Sequence, residues 1–372
     1  MKKGKKRLLF LLLIPISLLI VALVDYNYWI AEYIFARIVY KYLSQPISNI
    51  MGLIPISFME VSILLIILLF IFLFIYLLKL AFIDENVRKE KSINLIINVS
   101  SGFSILLFMF VIFAGTNYYR YPFAEISNIT VEGSTVDELY QLNIYLVKQA
   151  YETREQLELQ TEHINEDGVF EFSDIHWREL TSKAEKAFEN LSIDHPVLSG
   201  NYGKPKPVIA SQFMSRMEIT GIFWPFTLEA NINAHAPDHT IPSTMAHEMA
   251  HQRGFMREDE ANYIAYLACI SSDSLVFKYS GLMLALNSAG NALYNEDPLL
   301  YAQTRELYNE GMVVDLRHKS NYWNKYKDTA ISIVSNKMND TYLKANNQKD
   351  GVKSYGRMVD LLLVGLKDEY YL

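Results

Sequence analysis

HEMAHQRGFMREDEANYIAYLAC, residues 247–269, sets two histidines four positions apart with a glutamate directly after the first. Residues i and i+4 of a helix share a face, so His247 and His251 can both reach one metal ion. Glu248 stands about 100° round the helix from His247, which sets its carboxylate beside a metal-activated water rather than on the metal. A divalent ion brings the pKa of such a water from about 16 toward about 7, and a neighbouring carboxylate takes the proton. Ala246, Met249 and Ala250 give this helix a small apolar back face, and Gly254 is placed to end it in a left-handed turn.

Catalytic zinc commonly takes three protein ligands and keeps one position for water. The acidic candidates for the third ligand are Glu258, Asp259 and Glu260, directly after the turn. A helix starting there puts Glu258 and Asn262 on one face and turns Glu260 away. Glu258 is therefore favoured over Glu260, with Asp259 behind, and Asn262 is positioned to hydrogen-bond a ligating imidazole. An acidic first turn also has an electrostatic reason of its own, which keeps all three open. The only cysteine, Cys269, excludes an intrachain disulfide and a cysteine-rich metal site and reads as a small buried hydrophobe. Zn2+ held by His and carboxylate is the expectation. His235 and His239 sit in a proline-bearing loop and read as solvated. Tyr355, Arg357, His318 and Arg317 are the candidates for stabilising a developing oxyanion.

Around this segment, residues 116–372 read as one predominantly helical domain with a small sheet. Thr135-Val136-Asp137-Glu138 forms a capping box that opens a helix to about 160. A second helix covers 173–191, started by Ser173 or Asp174. Residues 200–207 read as loop. Residues 227–233 alternate polar and apolar side chains, as a half-buried strand does, and lie where an edge strand aligning a peptide substrate would. Further helices are predicted near 258–272, 274–293, 297–310, 325–347 and 354–367.

The first 115 residues hold most of the apolar excess. Residues 8–24, 61–78 and 93–115 are each long and apolar enough to cross a bilayer core of about 30 Å. The first is read as a retained anchor, because Asp25-Tyr26-Asn27-Tyr28-Trp29 follows it without a small-x-small cleavage site. Lys2, Lys3, Lys5, Lys6 and Arg7 before the first run, and Lys79, Arg88, Lys89 and Lys91 between the second and third, place those segments in the cytoplasm and the domain after 115 outside it. The aromatic segment 28–43 suits either the outer membrane interface or packing on the domain. A formal net charge of −7 argues against nucleic-acid binding, which needs a concentrated basic face.

His247-Glu248-x-x-His251 followed by Glu258-x-x-Ala261-Asn262 resembles the gluzincin zinc peptidases. That resemblance implies a zincin-like fold, His247, His251 and Glu258 as ligands and Glu248 as general base. Asn262 stands where Asp is more usual, and the gap from His251 to Glu258 is shorter than in most of that group. Arg257 occupies the place where the metzincin pattern has its third histidine, and it cannot ligate. Over nearly its whole length the chain also resembles the bacterial membrane proteins of domain-of-unknown-function family 3810. The three spans, 247–269 and the stretch NDTYLKANNQKDGVKSYGRMVDLLL at 339–363 carry that likeness. The expectation is a membrane-anchored zinc endopeptidase, with a bilayer and a protein or peptide substrate as partners. The alternatives are a non-catalytic zinc-binding sensor or a zinc-stabilised structural module, neither of which needs Glu248.

Overall fold

The apolar runs form three helices long and apolar enough to cross a membrane: α1 (Lys6–Tyr26), α3 (Phe58–Ala81) and α4 (Glu85–Phe113). The computed structural model describes residues 6–131, 133–160, 163–172, 177–348, 351 and 357–370. α3 and α4 start earlier than their apolar runs because their caps lie in the polar flanks. Ser57 Oγ accepts from Glu60 N–H, and Asp84 Oδ1 accepts from Asn86 N–H. Along α3 the large apolar side chains from Ile63 to Leu78 are mostly exposed.

Between α1 and α3 the chain runs as a π-helix, Ile30–Tyr40, continued by α2, Lys41–Gly52. Its buried residues Glu32, Ala36, Tyr40, Ser44 and Ser48 recur every four positions. Over Glu32, Ala36 and Tyr40 the wider winding holds that repeat on one side, where 3.6 residues per turn would let it drift round the axis. This face packs on the domain, while Tyr33, Ile38 and Tyr42 stay exposed. The segment 28–43 thus meets the domain with one face and keeps an aromatic outer face.

The domain helices follow in order: α5 (Val136–Leu159), α6 (Trp177–Asp194), α7 (Ile241–Gln252), α8 (Glu258–Ile270), α9 (Leu275–Glu296), α10 (Pro298–Glu306), α11 (Glu310–Asn324), α12 (Ala330–Ala345) and α13 (Met358–Gly365). Thr135 and Glu138 make the expected capping box of α5. The start expected for α6, at Ser173 or Asp174, lies outside the described residues. α11 is a helix that the sequence reading leaves unassigned. Asn309-Glu310-Gly311 looks like a turn, but the Asn309 side chain caps the helix by accepting from Met312 N–H. Gly311 is small because the Arg154 guanidinium passes 2.7 Å from where its Cβ would stand.

The sheet has three short strands, β1 (Lys206–Pro207), β2 (Gly221–Trp224) and β3 (Glu229–Ile232), in the order β1-β3-β2. β3 pairs parallel with β1 and antiparallel with β2, with Ile222 opposite Asn231 and Trp224 opposite Glu229. This corrects the expectation for 227–233. That stretch is the central strand with all four strand residues buried, and β2 is the edge. Its alternation of polar and apolar residues misleads because the polar ones are satisfied inside. Glu229 is ion-paired with Lys206, and Asn231 accepts from Ser57 Oγ at 2.7 Å.

The core lies where α5, α7, α8 and α9 meet, around Leu142, Leu146, Met245, Ala265 and Leu286. One buried ion pair ties its edge. Arg154 Nε donates to Asp315 Oδ2 at 2.8 Å with both side chains fully buried, and Asp315 also accepts from Tyr279 Oη and Phe170 N–H. Removing one partner strands a buried charge. Asp315→Ala should therefore lower unfolding stability by about 3–5 kcal/mol. Thermal unfolding of the detergent-solubilised chain measures this, and a loss below about 1 kcal/mol would remove the ion pair from the account of stability.

Candidate metal centre

α7 begins after Pro237 with Pro242 in its first turn, where a missing N–H costs nothing. Met245, Ala246, Met249 and Ala250 are buried in the core, so the opposite face of the helix carries His247, Glu248 and His251 into a cleft. The helix ends as its sequence predicts. Gly254 has φ 82°, and Phe255 N–H donates to Ala250 O at 3.2 Å across the turn. The turn brings the Phe255 carbonyl to 2.7 Å from His251 Nδ1. Tyr40 Oη donates to Gln252 O at 2.9 Å, and Gln252 Nε2 donates to Leu228 O and Gly203 O. The segment after the first span thus braces the end of α7.

α8 starts at Glu258, and its first turn sorts the three acids. Glu258 joins His247 and His251: one ligand atom from each lies within 4.8 Å of the others. His247 Nε2 and His251 Nε2 are 3.0 Å apart, and Glu258 Oε2 is 3.1 Å from the first and 3.7 Å from the second. Glu260 points away, accepting from Phe123 N–H at 3.0 Å and pairing with Arg257 at 3.1 Å. Asp259 faces Arg357 at 4.0 Å. Asn262 Oδ1 meets His247 Nδ1 at 2.8 Å, the supporting contact the spacing suggests.

These contacts fix the tautomers. Each Nδ1 faces an oxygen acceptor and so carries its proton, which leaves both Nε2 lone pairs aimed at one point. Two lone pairs 3.0 Å apart repel unless a positive charge sits between them. Glu258 Oε2 adds a third donor atom, and it makes no hydrogen bond of proper geometry to either ring. A proton bridges two donors, whereas a metal ion serves three. Ligands bonded at about 2.0–2.1 Å in a tetrahedral site stand about 3.3 Å apart, so the separations found here suit a small divalent cation. The charges also favour one another. Burial opposes the charge on His251, but the Glu258 and Glu248 carboxylates outweigh it and push the imidazole up to about 9. Burial likewise opposes ionisation of Glu258, and the two imidazoles hold it well below the usual carboxylate range.

Glu248 lies beside this cluster and off it. It is 4% exposed, and its Oε2 has no hydrogen-bond partner among the described residues. Burial raises its pKa against the pull of both histidines and of the Phe223 N–H. Its side chain lies along the bare backbone of Gly221, where an added Cβ would come within 2.7 Å of Glu248 Cγ.

The cleft has a volume of about 1160 Å³ and is walled by β2, α7, α9, α11 and α12, with Phe110 of α4 and Tyr118 at one side. Of the oxyanion candidates, Arg317 and His318 are exposed on α11 and do not line it, Arg357 faces Asp259, and Tyr355 lies outside the described residues. Tyr342 of α12 lines it instead, its hydroxyl accepting from Tyr118 Oη at 3.1 Å. Burial raises the Tyr342 phenol pKa first, the Tyr118 hydrogen bond lowers it, and the Glu258 carboxylate raises it further. His235 is exposed as expected. His239 is not solvated: it is 2% exposed in a helical turn, and burial pushes its imidazole down to about 3. Cys269 is fully buried, as expected. Sequence reasoning missed β2, Gly221, Tyr118 and Tyr342. The four residues of β2 are too few to show a period, and neither tyrosine carries a local signal.

The family described as Protein of unknown function (DUF3810) matches residues 35–363, which include the sheet, the cleft and the apolar helices α3 and α4. No curated protein and no solved structure matches the chain significantly.

Proposed function

We propose that this chain, which belongs to the DUF3810 family, is a membrane-anchored zinc-dependent endopeptidase with a zincin-like centre. The observation that carries the reading is the convergence of His247 Nε2, His251 Nε2 and Glu258 Oε2, all within 4.8 Å of one another, with Glu248 buried beside them in an open cleft. His247, His251 and Glu258 would hold the ion. Bound there, zinc would supply Lewis-acid polarisation of a peptide carbonyl and acidify a water.

The chain's own residues do the rest. Asn262 and the Phe255 carbonyl fix the ring orientations, and so aim both Nε2 atoms. Glu248 takes the proton of the attacking water and returns it to the leaving amine. The Tyr342 hydroxyl faces the same cleft and supports the developing oxyanion. β2 offers the substrate a backbone. Asn233 N–H donates to Thr220 O, so in the antiparallel alternation Gly221 and Phe223 direct their N–H and C=O groups away from β3. The Phe223 N–H already reaches Glu248. A pure binding site needs no base, so Glu248 favours hydrolysis over a sensor. The domain is read as extracytoplasmic, with the N-terminus cytoplasmic. In support, Lys6 and Arg7, Lys79, and Arg88, Lys89 and Lys91 stand at one end of α1, α3 and α4, while Val24, Met59 and Phe113 near the other ends are buried.

Metal content tests the reading. Full-length protein purified natively in mild detergent should carry about one zinc per chain by elemental analysis. His251→Ala should reduce this below about a tenth. Metal-free protein from native purification would sink the proposal. Gly221→Ala tests the placement of Glu248: the new Cβ displaces that side chain, so hydrolysis should fall about 10²-fold with zinc retained. Unchanged activity of that variant in a peptide-cleavage assay would take Glu248 out of the base role.

A further inference from the structure

The sheet that borders the cleft is bonded to the ends of the spans. Phe58, the first residue of α3, donates its N–H to Glu229 Oε1 at 3.2 Å, and Ser57 Oγ donates to Asn231 Oδ1 at 2.7 Å. Glu60, in the first turn of α3, accepts from the N–H groups of Ile209 and Ala210. The edge strand β2 is held between two spans. Ile222 and Trp224 pack against the cluster of Met59, Val208 and Met214, with Met59 belonging to α3. Phe223 packs with the cluster of Ile112 and Phe113, which also gathers Phe108, Met109 and Phe110 of α4. The Phe223 ring in turn stands 6.2 Å from that of His251.

The cleft wall therefore includes a residue of a spanning helix. Phe110 lines it, three residues before the end of α4, or about 4.5 Å along the helix axis. Exposed aromatics cluster at the domain-side end of α1 and on the segment after it: Tyr26, Tyr28, Trp29, Tyr33 and Tyr42, the composition of a membrane–water interface. Through Phe223 and Phe110 the metal cluster, β2 and the apolar side of the cleft are packed against the domain-side end of α4.

We infer that the substrate is a polypeptide anchored in the same membrane, cut in the extended segment next to its anchor. The inference rests on the peptidase reading and adds the substrate class. An extended chain covers about 3.3 Å per residue, and β2 packs on the ends of α3 and α4, so a short extended segment joins an anchor beside those helices to the β2 edge. The anchor raises the local concentration of that segment, as a short linker does for any second contact. A freely diffusing peptide gains nothing from a site at this height.

The test uses full-length Glu248→Gln protein with photoreactive p-benzoylphenylalanine in place of Phe226, a cleft residue, in phosphatidylethanolamine–phosphatidylglycerol vesicles. Three probes share one randomised segment of about twelve residues. The first joins it directly to a membrane-spanning helix, the second through a spacer of about forty residues, and the third leaves it free. The directly joined probe should crosslink at least about tenfold more than either other. Equal crosslinking, stronger crosslinking of the free segment, or none with any probe overturns the inference and leaves hydrolysis of soluble peptides standing. Preferential crosslinking of the joined probe, with no cleavage of it by the Glu248-bearing chain, supports the docking and overturns the peptidase reading.

Discussion

Glu248→Gln should leave about one zinc per chain and lower peptide hydrolysis by about 10²- to 10⁴-fold, the range that a positioned general base supplies. The substitution keeps the shape of the side chain, so its packing along Gly221 survives. It also keeps an oxygen for the Phe223 N–H. What disappears is the buried carboxylate beside the His247–His251–Glu258 cluster. Glu218 also lines the cleft, but its carboxylate is already engaged, accepting from Asn336 Nδ2 at 2.7 Å. The Glu248 Oε2 atom has no hydrogen-bond partner among the described residues, which is the condition of a group kept free to accept a proton. Glu248→Asp should recover little, because a shorter side chain draws the carboxylate back toward the helix. The measurement pairs cleavage of a quenched-fluorescent peptide mixture with elemental analysis of the same preparation. A Gln variant as active as the parent would end the assignment, and one that loses zinc would move Glu248 into the ligand set.

The candidate site was legible where its geometry is local. His247, His251, Glu258 and Asn262 lie on two consecutive helices joined by one tight turn, so helical periodicity and a single glycine fix their relation. Even the choice among Glu258, Asp259 and Glu260 followed from which residue shares a face with Asn262. What the sequence hid depends on distant contacts. β3 reads as half-buried from its alternation, and only the Lys206–Glu229 pair and the Ser57–Asn231 hydrogen bond explain why its polar residues go inside. The strand beside the cleft, Gly221–Trp224, is set by antiparallel pairing and by two spans that begin and end far from it in the chain. His239 looks like a loop residue between two prolines, yet it packs against Tyr279 of α9. Tyr342 reaches the cleft from a helix whose own pattern gives no hint of it. In the membrane part, hydropathy found all three long apolar helices but missed their polar extensions, because capping side chains rather than hydrophobicity decide where α3 and α4 start.

The second large effect separates two neighbouring glutamates. Glu258→Ala should weaken zinc binding by more than about 10²-fold, beyond what loss of a supporting contact costs. It removes one of three donor atoms and leaves His247 Nε2 and His251 Nε2 facing each other at 3.0 Å without the carboxylate that favours positive charge between them. Glu260→Ala removes a similarly buried acid two residues on, and should change zinc affinity by no more than about threefold, since among the described residues its hydrogen bonds go to Phe123 N–H and Arg257 and not to the cluster. Its cost is structural: the Phe123 N–H loses its acceptor and the Arg257 guanidinium keeps only the Arg120 carbonyl of its two, worth about 1–3 kcal/mol of stability. Asn262→Ala should fall between, weakening zinc about 10- to 100-fold by freeing the His247 ring. Competition with a chelator of known affinity gives the binding order, and thermal unfolding of the same metal-free proteins gives the structural one. The two rankings should be opposite for Glu258 and Glu260. A Glu260 variant that loses the metal while Glu258→Ala retains it would transfer the third ligand, and with it the face of α8 that meets the cleft.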